Sequence, residues 1–399
     1  MKTKISLTPQ SYISLAIAFY LLFSLISISL SQIFLFIAFL SWLFFLIKEK
    51  QKPLVPSFFW SLSGYALLSL VSSFFSVNPE ISLKDSRELL LFLLVPIVFT
   101  GFSTEKILKK ANLALLASAI LSCIYSFFHL AIKNGLNERL SGFMGHYMTQ
   151  AGLLLIFSTM ALSLFLFSRE KARFLWGIGY LLSLTALAFT LTRSAWIGLI
   201  ISSSLILFLY KPKALILAPI AVGLFFIVGP QQIKDRAFSI FSLKSDSNRE
   251  RIEYLNAGLH IIKDFPLFGS GPNTVEMVFQ HPKYSLSKKA KSNVHLHNNF
   301  LQIGAERGLP ALLTWIAFFV WTFFSLIKLL RNKDPALYPF TVAALAALTA
   351  LMTAGFFEYN FGDSEITALF LYMITVPFCL NRIQNIKSVV KEKKASEVN

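Results

Sequence analysis

Uninterrupted apolar runs recur along this chain at a length that leaves few folds open to it. Each extends over roughly 17 to 23 residues, enough to cross the hydrocarbon core of a bilayer as a helix. Lipid offers the backbone no hydrogen-bond partners, so a continuous apolar run satisfies its own N–H and C=O groups as a helix. A β-barrel would alternate apolar and polar residues with period two, and these runs do not. Hydropathy and breaks predict about 12 spans, over 11–29, 31–47, 57–76, 88–102, 111–132, 148–168, 174–191, 194–210, 213–229, 309–330, 336–357 and 365–381. Composition agrees: 55% of residues are hydrophobic and 14% charged, with a mean hydropathy of +0.64, where a soluble domain carries about a quarter charged. The fold class expected is an all-α polytopic membrane protein. Residues 1–399 form one membrane domain, with one long loop, 230–308, between the ninth and tenth spans. The first run follows Lys2 and Lys4 with no small-residue cleavage site after it, so it reads as a retained helix.

Cations set the orientation. Lys48, Lys50 and Lys52, then Lys106, Lys109 and Lys110, Arg169, Lys171 and Arg173, Lys211 and Lys213, and Lys328, Arg331 and Lys333 fall in alternate connections. Arg382, Lys387, Lys391, Lys393 and Lys394 follow the last span. The intervening short loops hold few cations, so these connections and both termini are expected in the cytoplasm. The net charge of +17 is then mostly a topology signal. Cations dispersed over many loops do not make a nucleic-acid surface, and no nucleic-acid partner is expected. Cys123 and Cys379 both fall inside spans, with neither disulfide nor metal-type spacing.

The long loop is not featureless. Ser247, Asn248, Arg249 and Glu250 fit a capping box. Ile252, Leu255, Leu259 and Ile262 follow at helical spacing, predicting an amphipathic helix that ends before Pro266 and lies on the bundle or in the headgroup zone. Phe268 to Pro272 (Phe-Gly-Ser-Gly-Pro) reads as a tight turn, and Asn273 to Phe279 as a short helical piece. Gln280 to Asn293, polar and lysine-bearing, reads as a mobile stretch.

Polar residues beside lipid are costly and draw attention by default. Val294 to Pro310 is the densest such stretch. Asn298 and Gln302, then Gln302 and Glu306, share a helix face. Gly308 and Pro310 break the helix before the next span. The bland alternative is an interfacial helix whose polar face meets water. His295 and His297 cannot share a metal on a helix, where i and i+2 point about 200° apart, though an extended segment would allow it; no partner motif accompanies them, and no metal is expected. Arg193 sits in a turn too short to be a loop, either snorkelling or presenting a planar fork to a phosphate. Arg249 and Arg251 open the amphipathic helix, where a solvated charged face is the plain alternative. Arg139, His146, Glu358 and Asp363 fall in outer loops, each ordinary singly. Together these residues gather on the outer side. Arginines and a histidine converging on one membrane face suit an anionic, lipid-linked substrate.

Three ordered segments resemble the O-antigen ligase and polymerase superfamily. Thr190 to Trp196 (Thr-Leu-Thr-Arg-Ser-Ala-Trp) is similar to that family's Thr-x-x-Arg element. Arg251, followed by Asp264 to Pro272 (Asp-Phe-Pro-Leu-Phe-Gly-Ser-Gly-Pro), is similar to its arginine, amphipathic helix and Pro-x-x-Gly-x-Gly turn. His297-Asn298-Asn299-Phe300-Leu301-Gln302 with Glu306 and Gly308 is similar to its His-Asn-x-x-Leu-x-x-x-x-Glu-x-Gly. Arg139 to Phe143 is a weaker fourth match, and Glu358 to Glu365 looks more like the ligase branch. The resemblance implies a GT-C-type glycosyltransferase of the bacterial inner membrane. Its active face would be periplasmic, its donor an undecaprenyl-diphosphate-linked glycan, and its acceptor a lipid A core sugar; no metal or cofactor is implied. It also implies His297 as general base, Arg193 and Arg251 as diphosphate ligands, and supporting roles for Asn298, Glu306, Arg139, His146, Arg249 and Asp363, with Asn298 or Glu306 orienting the base. A polysaccharide polymerase or a protein O-oligosaccharyltransferase would share the donor chemistry. A secondary transporter also suits twelve spans, but a carrier gathers its polar residues at the bilayer midplane rather than at one face.

Overall fold

The computed structural model describes residues 9–132, 139–240, 242 and 246–396; Lys2 and Lys4 lie outside them. All regular structure among these residues is helical. In chain order the α-helices are α1 (Pro9–Phe23), α2 (Ile28–Lys48), α3 (Phe59–Phe74), α4 (Pro79–Asp85), α5 (Leu94–Gly101), α6 (Glu105–Ile132), α7 (Tyr147–Phe167), α8 (Arg173–Phe189) and α9 (Arg193–Tyr210). They continue with α10 (Leu217–Val228), α11 (Gln231–Phe238), α12 (Asp246–Asp264), α13 (Val275–Val278), α14 (Asn299–Leu330), α15 (Tyr338–Gly355) and α16 (Ser364–Ser396).

Seven of these helices, α2, α6, α7, α9, α14, α15 and α16, are long and apolar enough to cross a membrane, and α1, α3 and α8 are shorter apolar helices. The chain is a polytopic membrane protein. Against the twelve predicted spans, seven reach spanning length, α1, α3 and α8 are shorter, and two are broken. Over 88–102 a 3-10 helix, Ser86–Leu93, runs into the 8-residue α5. Over 213–229 a 3-10 turn, Pro212–Ile216, precedes the 12-residue α10. At about 1.5 Å of rise per residue neither α-helical part alone spans a bilayer.

Helices α7, α15 and α16 form the interior, with 78 to 83% of their apolar windows buried, whereas α2 is 22% buried at the periphery. The alanine-rich α15 carries little side-chain volume, and Gly152 of α7 takes Ile366 of α16 against its bare Cα. Small residues of this kind allow backbones to approach where lipid supplies no hydrophobic drive. Hydroxyl pairs add polar links, such as Ser158–Ser183 at 2.8 Å and Tyr372 Oη donating to Asn112 Oδ1 at 2.9 Å.

The break in α14 positions everything that follows. Gly308 adopts φ 80°, ψ 171°, and Pro310 has no N–H to give. The carbonyls of Ala305 and Glu306 therefore lose their helical donors. The Gly-Ser-Gly turn supplies replacements: Ser270 N and Gly271 N donate to Ala305 O and Glu306 O, both at 2.8 Å, while Leu309 N turns to Pro266 O at 2.8 Å. Gly269 has φ +69°, and a Cβ there would stand 2.2 Å from the Glu306 carbonyl carbon. The turn and the helix break are thus two halves of one backbone joint.

Residues 230–308 fold over a second apolar cluster. It contains Tyr254, Ala257 and Ile261 of α12 with Phe279, Tyr284, Leu286 and Leu296. Three expectations bear on this region. The face of α12 that packs inward is Tyr254, Ala257 and Ile261; Ile252, Leu255 and Leu259 are exposed, an apolar stripe available to lipid. Ser247 is not the cap, because α12 begins at Asp246 and the Ser247 hydroxyl accepts from Arg193. The stretch 280–293, read as mobile, makes side-chain contacts to α12: Tyr284 Oη and Lys283 Nζ both donate to Asp264, and Tyr254 Oη donates to Ala290 O at 3.0 Å.

Candidate active site

His297 stands immediately before α14 at φ 49°, a left-handed conformation uncommon for a residue with a Cβ. Its neighbours hold it there. Asn298 caps α14, its Oδ1 accepting from Leu301 N at 3.0 Å, and its Nδ2 donates to Phe356 O at 2.9 Å. Leu296 N donates to Gln302 Oε1 at 2.7 Å. The outcome is that His297 Nδ1 lies 3.0 and 3.1 Å from the two carboxylate oxygens of Glu358. A carboxylate can only accept, so Nδ1 carries a proton, and in the neutral ring that leaves Nε2 as the acceptor. Burial pushes the Glu358 carboxyl up, but His297, His295 and Arg251 together hold it at about 2. The carboxylate form is thus favoured behind the ring.

That arrangement reassigns two expected roles. Asn298 positions the backbone of His297 but gives no hydrogen bond to the ring. Glu306 is buried and bonded elsewhere, its Oε2 accepting from Arg307 Nη1 at 2.8 Å, and Arg307 also reaches Tyr359 Oη at 3.2 Å and Asp85 at 3.5 Å. Burial raises the Asp85 carboxyl, while Arg307 lowers it. Gln302, Glu306 and Arg307 are all buried, so the polar face of this helix does not meet open water as an interfacial helix would.

Arg193 is 5% exposed, and its fork is filled. Nη1 donates to Ser239 O at 2.7 Å and to Ser239 Oγ at 3.1 Å; Nη2 donates to Ser247 Oγ at 2.8 Å and Asn248 Oδ1 at 2.9 Å. It clamps the start of the long loop to the bundle, in place of the free, phosphate-facing fork expected. Arg251 donates to Phe357 O at 3.1 Å, beside Glu358. Arg236, which sequence reading passed over, donates from Nε to Leu191 O at 3.1 Å. Arg139 lies over the Tyr147 ring at 4.2 Å, and His146 stacks on the same ring at 5.0 Å. Arg249 is exposed on α12 and stands outside this group.

Four arginines, 139, 193, 236 and 251, thus lie within electrostatic reach of one another. Burial, then repulsion from Arg139 and Arg251, brings Arg236 down to about 10. Burial also lowers Arg251, opposed by Glu358 and Glu250. Such a group gains from an anion that neutralises it.

A cavity of about 350 Å³ lies beside these parts, lined by Glu358 and by neighbours of His297 and Arg193. His295, Glu358, Thr192, Ser194 and His146 line it near the arginines, while Asp85, Glu88, Asp363 and Glu306 supply carboxylates. Asp363 also caps α16 through Ile366 N at 3.2 Å and accepts from Thr149 Oγ1 at 2.6 Å. His295 lines the cavity with its Nδ1 buried and unbonded among the described residues. The two histidine rings meet at 4.4 Å, and ligand atoms of His295, His297 and Glu358 lie within 4.8 Å of one another, a spacing that could surround a divalent cation. His295 and His297 precede α14, which starts only at Asn299, so the 200° divergence of i and i+2 on a helix does not separate them.

Residues 178–316, which carry Arg193, Arg251, the glycine turn and His297, match the family described as O-antigen ligase. Over these residues the chain is similar to that family. The matched segment begins in α8 and ends past the α14 break, so it holds the backbone joint whole. An uncharacterised protein of Haemophilus influenzae is 26% identical over 310 residues, 72% of this chain and 75% of its own. Glu358 and Asp363 lie beyond the family match, and the sequence signal for Glu358 was a carboxylate in the short loop between two spans.

Proposed function

We propose that this protein is an O-antigen ligase of GT-C-type architecture, transferring glycan from undecaprenyl diphosphate to a sugar of the lipid A core on the periplasmic face of the inner membrane. The observation that carries the reading is a histidine backed by a buried carboxylate, with Arg251 beside that carboxylate and in the field of Arg193 and Arg236, in a chain whose residues 178–316 match the O-antigen ligase family. His297 Nε2 takes the proton of the acceptor hydroxyl as that oxygen attacks the anomeric carbon. Ionised Glu358 stabilises the imidazolium that forms. The carbon–oxygen bond to the diphosphate breaks, and Arg139, Arg236 and Arg251 stabilise the leaving charge, with Arg193 holding the loop that presents Arg251. Direct displacement inverts the anomeric configuration.

The test is transfer in vitro with purified protein, undecaprenyl-diphosphate-linked glycan and core–lipid A, with and without chelator. His297→Ala should lower transfer by about 10²- to 10⁴-fold, and Arg236→Ala should lower it with a raised KM for the donor. Chelator should change nothing. Full activity of His297→Ala would remove the base assignment, and loss of activity on chelation would turn the His295–His297–Glu358 group into a metal centre. Product of unchanged donor chains joined to each other, with core–lipid A untouched, would select a polymerase instead.

A further inference from the structure

We propose that Asn299 is a positioning residue for the base: it fixes the loop that carries Glu358 in register with His297. The inference deepens the transfer reaction proposed above and rests on it. Glu358 lies in the connection 356–363 between α15 and α16, whose only regular piece is the 3-10 turn Asn360–Gly362. Three consecutive residues at the head of α14 each take hold of that connection. His297 Nδ1 meets Glu358, Asn298 Nδ2 donates to Phe356 O, and Asn299 bonds to Asn360 and Phe361. The two residues that follow the base therefore grip the loop on both sides of its carboxylate.

Asn299 makes the tighter of the two grips. Its side chain is fully buried, and both ends of its carboxamide bind the loop. Nδ2 donates to Asn360 Oδ1 at 2.7 Å, and Oδ1 accepts from Phe361 N at 3.2 Å. Asn360 carries the hold on to α15, its Nδ2 donating to Leu351 O at 3.1 Å, while Thr367 Oγ1 of α16 donates to Phe361 O at 2.9 Å. Three helices thus meet at one amide. A short side chain that both donates and accepts is needed there, which asparagine supplies. The space is close: a Cβ on Gly355 would stand 2.3 Å from Asn299 Nδ2, so glycine at that position makes room for the amide. Removing the carboxamide strands Phe361 N and Asn360 Oδ1 in a buried place, and the loop shifts to satisfy them. The carboxylate moves with it, because Glu358 Oε1 accepts from the backbone N of Tyr359 at 3.2 Å. Asn360 lines the cavity and Asn299 stands behind it, so Asn299 acts on the reaction through the loop.

The experiment measures transfer by the full chain in lipid nanodiscs, with undecaprenyl-diphosphate-linked glycan as donor and core–lipid A as acceptor. Asn299→Ser gives up the paired bonds without adding bulk. It should lower kcat about tenfold, and no further than Glu358→Gln does, with the KM values for both substrates unchanged. In a Glu358→Gln background the same substitution should cost little more, because the two residues act through one contact. A merely structural residue would cost the same in both backgrounds, so losses that multiply would overturn the proposal, as would a raised KM with kcat unchanged. Asn360→Ser breaks the same bond from the loop side and should show the same pattern; it serves if Asn299→Ser does not fold. A second readout does not need catalysis. In protein labelled with 15N-histidine, the Nδ1–H proton of His297, assigned by its absence from His297→Ala, should resonate far downfield in the wild type and lose that position in Asn299→Ser. An unchanged resonance would overturn the proposal. Loss of the resonance in Asn299→Ser, with no transfer by the wild type, would leave the positioning role standing and sink the ligase reading alone.

Discussion

His297 and Glu358 stand 61 residues apart in the chain and 3.0 Å apart in space. Their pairing makes a measurable claim. Glu358→Gln keeps the side chain's size and removes its charge, so transfer should fall at least about tenfold, while in a His297→Ala background it should cost little more, as groups acting as one unit do. Rates that multiply independently would separate the two residues. His295 offers a pH test. Burial lowers its proton affinity, with Glu358 opposing, so its folded value lies below the ordinary 6.5. The unfolded chain then binds the proton more readily, and the stability associated with neutral His295 is complete above about pH 6.5 and falls as pH drops below it. Between pH 7 and pH 5 the Tm of the wild type should fall further than that of His295→Asn. His297 was legible in the sequence because a histidine at the head of a polar stretch beside lipid is unusual by itself. Glu358 was not, because a carboxylate in a loop is ordinary until its neighbours are known.

The elements of the long loop show where pattern succeeds and where it misleads. Gly269, Gly308 and Pro310 were readable as a turn and a helix break, since glycine and proline act on their own backbone. That the two interlock was not readable, because freed carbonyls record no address for their new donors. Gly269→Ala would force a Cβ against the Glu306 backbone at a positive φ, and should destabilise the protein by about 2 kcal/mol or more, read as a lower Tm in detergent. Helix α12 was foreseen, with bundle and headgroup zone both left open for its apolar face. Periodicity finds an apolar stripe without saying whether protein or lipid covers it, and here Tyr254, Ala257 and Ile261 meet protein. The capping box at Ser247 failed for a related reason: the Arg193 fork claims the hydroxyl that a local cap would have used.

At the scale of the molecule, the site gathers at one end of the bundle, where α7, α9, α14 and α16 begin and α15 ends. The opposite end carries Lys48 and the Lys109–Glu170 pair. If the cation-rich end is cytoplasmic, the site is periplasmic, and labelling can decide it. Cys123 and Cys379 are buried, so background is low. Val294→Cys, at a position 54% exposed near the cavity, should react with a membrane-impermeant maleimide added outside the inner membrane. Lys333→Cys should react only after lysis, and the reverse pattern would invert the topology.

The membrane class, the helical content, the expected orientation and the histidine all follow from local rules. Lipid dictates the length of an apolar run, and glycine, proline and lysine act where they stand. What only the tertiary structure decided is pairing: Glu358 behind His297, Arg236 joining the other arginines, Arg193 spent on the loop, and the glycine turn closing the break in α14. The physical reason is that a buried polar group must find a partner, and the chain's composition leaves that partner free to come from anywhere the packing brings close.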